Sequence, residues 1–320
     1  AVVPTMGSIH EGHLSLVKIA SQKADKVIVS IYVNPTQFSK NEDYNTYPRN
    51  IDRDISYLLR FKKCEIVYIP SNMYNNDHAT TIKLSGPAEG LDSETRPHFF
   101  PAVATIVLKL LNQLPSDFAI FGEKDYQQFR VIEQMVKDLN MPVQILLGKT
   151  IRNKNGLALS SRNSYLNHNE IKIAPKLFEI MKETCEEIRG SKDSKIILKN
   201  SITNLKKVGF SKIDYLKICD NLTLEELKSS RKNARLFAAV WLGKTRLTDN
   251  MLIWLMIPVI DLNSNKIFTE VENAFTEIGF AIFVNHFNEN EKQNLNKWQK
   301  ITKQFFKLPN EIKKKYHFKD

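Results

Sequence analysis

Cysteine is scarce in this chain. Its three residues, Cys64, Cys185 and Cys219, stand too far apart for a disulfide framework or a zinc site, both of which need paired thiols, and the scarcity fits a reducing cytoplasm. Long apolar runs are lacking too. The longest, Met251 to Ile260, is broken by Pro258 and is about half of the roughly 20 residues that a bilayer crossing requires, so no membrane span is expected. No basic, then apolar, then small-residue leader opens the chain, although an Ala1 already inside a strand leaves room for a preceding segment that carries one. Internal repeats and low-complexity tracts are absent. Acidic residues are in deficit: 35 Asp and Glu against 46 Lys and Arg leave a net charge of +11. The surplus is mostly lysine spread through predicted helices, such as Lys192 to Lys207 and Lys297 to Lys315. It is not interleaved with aromatics, so it reads as solvated helix faces and no nucleic-acid partner is expected.

The apolar content of 42% in 320 residues is that of an ordinary globular protein with two domains, or two and a fraction. The stretch that organises the chain is Pro4-Thr5-Met6-Gly7-Ser8-Ile9-His10-Glu11-Gly12-His13. It turns a short strand (Ala1 to Val3) into a helix (Leu14 to Lys23) within one loop. Unpaired N–H groups and the positive end of a helix make such a junction an anion site, and two imidazoles beside it suit a reacting polyphosphate. Taken alone, the histidines read equally well as caps or packed side chains. Three further motifs accompany them: Asn34-Pro35-Thr36-Gln37-Phe38, Phe121-Gly122-Glu123-Lys124-Asp125-Tyr126-Gln127-Gln128, and Leu159-Ser160-Ser161-Arg162-Asn163.

Strand patterns at Lys26 to Val33, Glu65 to Ile69, Asp117 to Phe121 and Val143 to Leu147 alternate with helix patterns at Ile51 to Phe61, Ala102 to Leu114 and Gln127 to Leu139. That alternation predicts an α/β fold, a Rossmann-like parallel sheet covered on both faces, over residues 1–151. Its ligands should lie beyond the C-terminal strand ends, where the segments carrying His10, Asn34 and Gly122 converge. A smaller α+β domain is expected over 152–250, with helices at Glu170 to Arg189 and Ser194 to Val208 and strands at Asp214 to Ile218 and Ala234 to Trp241. It would cover the first domain.

With Tyr47-Pro48-Arg49 added, these motifs, in this order, resemble the pantothenate synthetase family, a branch of the nucleotidyl-transfer superfamily marked by HIGH-like and KMSKS-like motifs. The resemblance runs from Ala1 to about Asn250. It implies an ATP-dependent ligase that joins pantoate to β-alanine through a pantoyl adenylate, releasing pyrophosphate and AMP, and a homodimer. It implies that His10 and His13 donate hydrogen bonds to the phosphoryl oxygens, that Met6 and Gly7 wall the loop, and that Lys124, Ser160, Ser161 and Arg162 hold the phosphates. Gly122 and Asp125 would receive the adenosine and its ribose, and Gln37 and Gln128, with Asn34 and Tyr47, would hold pantoate. Mg²⁺ would bridge phosphate oxygens, with Asp54 as its carboxylate. Asp54 also reads as an exposed helix residue, Tyr47 as loop packing, and Lys124 with Asp125 as a surface ion pair. The segment Arg96 to Val103 departs from the family pattern: Phe99 stands where a histidine is expected and Ala102 where a glycine is. Read as an extended segment, it turns His98 to the wrong face. A related nucleotidyltransferase and an impaired nucleotide-binding protein are the alternatives.

After Asn250 the character changes. Met256 to Leu262, a helix to Ile278, Gly279 to His286, and Phe305 to Pro309 with Lys313 to Tyr316 resemble the N-terminal region of isopenicillin N synthase-like, 2-oxoglutarate-dependent iron oxygenases. The jelly-roll that carries that family's two histidines and carboxylate has no counterpart in 251–320. No iron site is therefore expected, and His286 reads as a structural residue at a strand end. This tail, a partial α/β element, reads as a fusion or a fragment spanning two reading frames, and Met256 reads as an original start codon.

Overall fold

The computed structural model describes residues 1–40, 42–190, 193–229, 233–253, 259–261, 267–271 and 281–284. Five strands, β1 (Val2–Thr5), β2 (Val27–Ile31), β3 (Cys64–Tyr68), β4 (Phe118–Gly122) and β5 (Gln144–Gly148), form a parallel sheet in the order β3-β2-β1-β4-β5. Strand order reverses at β1, where Val2 pairs with Ile28 on one side and Ala119 on the other. That reversal opens a crevice at the carboxyl ends of β1 and β4. Alternate residues of β1 serve opposite faces. Val2 joins the cluster built with α4 (Phe99–Gln113) and α5 (Tyr126–Asp138), and Val3 the one built with α1 (Glu11–Lys23) and Leu58 at the end of α2 (Ile51–Leu58).

The smaller domain is an antiparallel sheet of β6 (Lys212–Asp220), β7 (Ala234–Leu242) and β8 (Thr245–Leu252), with helices α6 (His168–Ile173), α7 (Lys176–Gly190) and α8 (Ser194–Lys207). The period-two alternation of its strands divides its side chains between two cores. Leu216, Ile218, Leu236, Ala238 and Val240 pack on their own helices, whereas Tyr215, Cys219, Phe237 and Ala239 join the core of the first sheet. A short helix, α3 (Asp92–Thr95), meets this sheet through Asp92, which accepts hydrogen bonds from Tyr215 Oη at 2.8 Å and Arg246 Nη2 at 2.7 Å.

Three differences from the sequence reading have local causes. Residues 99–101 are the first turn of α4, not an extended run. The first-turn N–H groups of a helix have no partner to lose, so Pro101 is tolerated there, and His98 is the residue that precedes the helix. The single helix expected over Glu170 to Arg189 is divided at Pro175 into α6 and α7, because proline lacks the N–H that would continue it. Arg246 to Asn250, expected only as the domain's end, lies within β8, joined to β7 by the two-residue hairpin loop Gly243-Lys244.

Ala1–Trp254 forms one compact unit and Leu255–Asp320 another, so the division expected at 151/152 falls inside the first. In the second unit β9 (Val259–Asp261) pairs in parallel with β10 (Ile282–Val284), and 267–271 is helical. Met256, His286 and the segments at 305–316 lie outside the described residues. Among the described residues no helix is long and apolar enough to cross a membrane, and no group of three or more His, Cys, Asp or Glu gathers as a metal site would require.

Candidate active site

The loop from Met6 to His13 shapes itself. His10 precedes α1, and its Nδ1 accepts from Gly12 N at 3.1 Å, while His13 Nδ1 accepts from His10 N at 3.3 Å. This is a capping box with imidazoles in place of the usual hydroxyl and carboxylate. The two rings lie 4.1 Å apart between centroids. A Cβ on residue 12 would stand 2.8 Å from the His10 ring, so the box requires Gly12. Gly7 is needed for two reasons: its φ is +79°, and a Cβ there would lie 2.9 Å from Asp54 Oδ2.

Because each Nδ1 accepts a backbone N–H, each neutral ring carries its proton on Nε2. Both rings are neutral at physiological pH. Burial, then the charge of Lys124, pushes His10 down to about 4, and burial, then His10 and Lys124, pushes His13 down to about 3. They form a pair of fixed donors in which neither ring holds a labile proton.

A cavity of about 1040 Å³ is lined from both domains. Of the predicted residues it brings together Lys124, Asp125, Gln128, Ser160 and Arg162, and it adds Asp43, Arg96, Phe99, Thr248 and Asn250. His10 and His13 are not in its lining. They lie alongside it, close enough to Lys124 to feel its charge, and Ser161 Oγ donates to Ser8 O at 3.3 Å to tie their loop to the 160–165 loop. Gln128 lines the cavity without a hydrogen bond to the described protein, so its amide is unspent. Gln37 is buried, and its Nε2 has only the weak acceptor Met6 Sδ at 3.0 Å. The chain bends at Gly122, the last residue of β4, outside the lining.

Three assignments are corrected. Asp54 is neither an exposed helix residue nor an available Mg²⁺ ligand: it is 1% exposed, with Oδ2 accepting from Ser8 N and Oδ1 from Ile9 N, each at 2.7 Å. It holds the histidine loop in shape, and the residues around it do not fit a cation. Asn34, also 1% exposed, spends its amide on Gln37 Oε1 at 3.2 Å, Ala102 O at 3.4 Å and the Thr36 hydroxyl at 3.0 Å, so it braces the loop against α4 and lies outside the cavity lining. Tyr47 is buried against Phe38 at 5.9 Å and hydrogen-bonds Ser161, and burial raises its hydroxyl pKa. It is loop packing that joins two motifs.

Arg162 is held by a residue that the sequence reading missed. Asp43 accepts from its Nε and Nη2, both at 2.9 Å. Burial opposes ionisation of Asp43, yet the guanidinium holds its carboxyl below the ordinary value. This side-on pairing leaves the Nη1–Nη2 edge of the fork for an anion. Ser160 caps the same turn, accepting from Arg162 N at 3.3 Å. Arg96 is clamped likewise on Glu42, at 2.6 and 2.8 Å, with its guanidinium 3.8 Å from the centre of the Phe99 ring. Phe99 therefore contributes an apolar cavity wall stacked on a cation. Nothing local in the sequence marks Asp43 or Glu42 as partners of these arginines.

The sequence matches the family described as Pantoate-beta-alanine ligase over residues 1–252, and over 257–320 it matches one described as non-haem dioxygenase in morphine synthesis N-terminal. Among curated relatives, a pantothenate synthetase of Mesorhizobium japonicum is 45% identical over 253 residues, 78% of this chain and 89% of the relative. One of Pseudomonas savastanoi pv. phaseolicola is 44% identical over 256 residues, 78% of this chain and 90% of the relative. Among solved structures, the pantothenate synthetase of Thermus thermophilus superposes with a TM-score of 0.76 at 36% identity, covering 79% of this chain and 93% of that one. The pantoate-β-alanine ligase of Francisella tularensis, complexed with Beta-gamma ATP and Beta-alanine, superposes with a TM-score of 0.67 at 35% identity, covering 79% and 88%. With the crevice, the paired imidazoles and the motif order already in hand, these matches make the chain a member of the pantoate–β-alanine ligase family.

Proposed function

We propose that the chain joins pantoate to β-alanine at the expense of ATP, in two displacements at the cavity between its domains. In the first, a pantoate carboxylate oxygen attacks the α-phosphorus. The bond to the bridging oxygen breaks, and pyrophosphate leaves with the electron pair, giving pantoyl adenylate. In the second, the neutral amine of β-alanine attacks the acyl carbon, AMP leaves, and the nitrogen gives up a proton. The observation that carries this reading is a pair of neutral imidazoles, with donors fixed on Nε2, beside a cavity that holds Lys124, Arg162 and an unspent amide at Gln128. Charge gathers on phosphoryl oxygens in the first displacement, and preorganised donors stabilise it without reorganising.

In this reading His10, His13 and Lys124 face the α-phosphate, and Arg162, with the hydroxyls of Ser160 and Ser161, takes the distal phosphates. Asp125 accepts from the ribose, close to Met6, Gly7 and Gly122, and Gln37 and Gln128 orient pantoate. Mg²⁺ belongs here only as the counter-ion a triphosphate brings with it, and no step is assigned to it. A homodimer is supported by family membership and by apolar side chains exposed at one sheet edge, Ile66 at 49% and Ile69 at 37%. A cytoplasmic setting is supported by three free cysteines.

The test is pyrophosphate release from ATP in the presence of pantoate, with and without β-alanine. Pantoate-dependent release without β-alanine, and AMP with pantothenate when it is added, is the expected result. ATP turnover indifferent to pantoate would favour a different nucleotidyltransferase and overturn the proposal.

A further inference from the structure

Lys124 is held by strand β8 of the smaller domain and by its own neighbour Asp125. Its ammonium reaches Thr248 Oγ1 of β8 at 3.3 Å and Asp125 Oδ1 at 3.3 Å, and the side chain is 20% exposed. Its backbone is gripped from the same strand: Asn250 Nδ2 donates to Glu123 O at 2.8 Å and to Lys124 O at 2.9 Å. Arg235 of β7, 4% exposed, holds the Glu123 carboxylate with Nη1 and Nη2, each at 3.1 Å, donates to Asn221 Oδ1 at 2.8 Å and to Asn250 Oδ1, and lies 3.8 Å from the Tyr126 ring centre. The polar groups of this lattice, built around buried Arg235 and Asn250, are paired with one another. Such a lattice is rigid, because freeing any one member leaves a desolvated polar atom behind. Within it, the Lys124 ammonium is the one cation whose seat is a neutral hydroxyl and an exposed carboxylate. Both are weak holds that an arriving phosphate oxygen can outbid.

We propose that Thr248 is a positioning residue, the resting seat from which the Lys124 ammonium is delivered to the nucleotide, and that Asn250 fixes the backbone carrying it. A lysine side chain has more rotamer freedom to lose than most. A hydroxyl that pre-orients it lowers that cost at the moment of reaction and adds no second counter-charge to that of the exposed Asp125 carboxylate.

The catalytic part rests on the proposed function, so two readouts are paired. The first needs no turnover: acetylation of the full chain with an N-hydroxysuccinimide ester, with the rate at Lys124 read by peptide mass spectrometry against exposed Lys176. Thr248→Val should raise the Lys124 rate about threefold or more, and Thr248→Ser should restore it; an unchanged rate overturns the seat. The second is pantoate-dependent pyrophosphate release. Thr248→Val should lower kcat about tenfold with KM for pantoate unchanged, Thr248→Ser should recover to within about twofold, and Thr248→Val added to Lys124→Ala should cost nothing more. Losses that multiply in the double variant overturn the delivery role. Asn250→Asp, which sets a carboxylate against two carbonyl oxygens, should lower kcat at least as far as Thr248→Val. A wild type that releases no pyrophosphate defeats the functional reading, while the acetylation result still decides the seat.

Discussion

The loop around His10 lies beside the cavity that the loop around Arg162 lines, but the two are held in opposite ways. Around His10 the bonds that set the imidazoles span two and three residues, and one distant carboxylate, Asp54, completes the shape. Around Arg162 the important bonds reach across the fold: 119 positions to Asp43, 119 from Tyr165 to Thr46, and 153 from Ser161 to Ser8. A self-closing loop keeps its geometry whenever its own residues and that one carboxylate are present. A loop held from outside inherits its geometry from the whole fold, so variants on surfaces far away in sequence should disturb it.

The most damaging test of this contrast is Asp54→Ala, which removes the carboxylate that completes the self-closing loop. One buried and one part-buried N–H group lose a charged acceptor, at about 1.5–3 kcal/mol each. A loss of about 3 kcal/mol or more in urea unfolding is expected, together with a loss of pyrophosphate release beyond what the stability change explains. A fall below about 1 kcal/mol would mean that the loop needs no outside help. Asp43→Asn probes the other loop. It keeps the shape and removes the charge that orients Arg162, so KM for ATP should rise about tenfold, about 1.4 kcal/mol, with kcat less affected and with little change in the response to His13 variants. If kcat falls while KM holds, Arg162 acts in the transition state alone.

Titration sharpens the contrast further. Both histidines fall in the fold from 6.5 to about 4 and about 3, so the unfolded chain binds more protons than the folded one between those values and 6.5. Their contribution to stability is therefore complete above pH 6.5 and is lost as the pH falls through about 4 and then about 3. Unfolding free energy measured in urea at successive pH values should decline across that window, less steeply in His13→Gln. By the same reasoning, pyrophosphate release should have no midpoint near 6.5 from these rings, and an NMR titration that finds either ring protonating there would contradict the donor assignment. The smallest effect is expected at Lys176→Gln, in an exposed ion pair with Glu179 that belongs to neither loop. The urea midpoint should not move measurably, which sets the baseline for the rest.

Legibility in the sequence follows the same division. The parallel sheet was readable because short strand patterns, β-branched in β1 and β2, alternate with helix patterns along the chain, and the crevice followed from that alternation. The errors came where a residue's role depends on a distant neighbour. Asp54 looks like any first-turn aspartate until the β1 loop is set against it. Asn34 and Tyr47 carry groups suited to pantoate, but they spend them on Ala102 and Ser161. The sites of Pro101 and Pro175 were misread for a local reason, since proline opens a helix as readily as it breaks one.

From its sequence alone this protein's class, motif order and histidine loop could be read, because each rests on interactions between residues a few positions apart or on patterns that repeat every two or every 3.6 residues. Only the tertiary structure assigned Asp43 to Arg162, Asp54 to the Ser8 and Ile9 amides, and Thr248 and Asn250 to Lys124. Hydrogen bonds act over about 3 Å, and nothing in a linear order says which groups, over a hundred positions apart, will come within that distance.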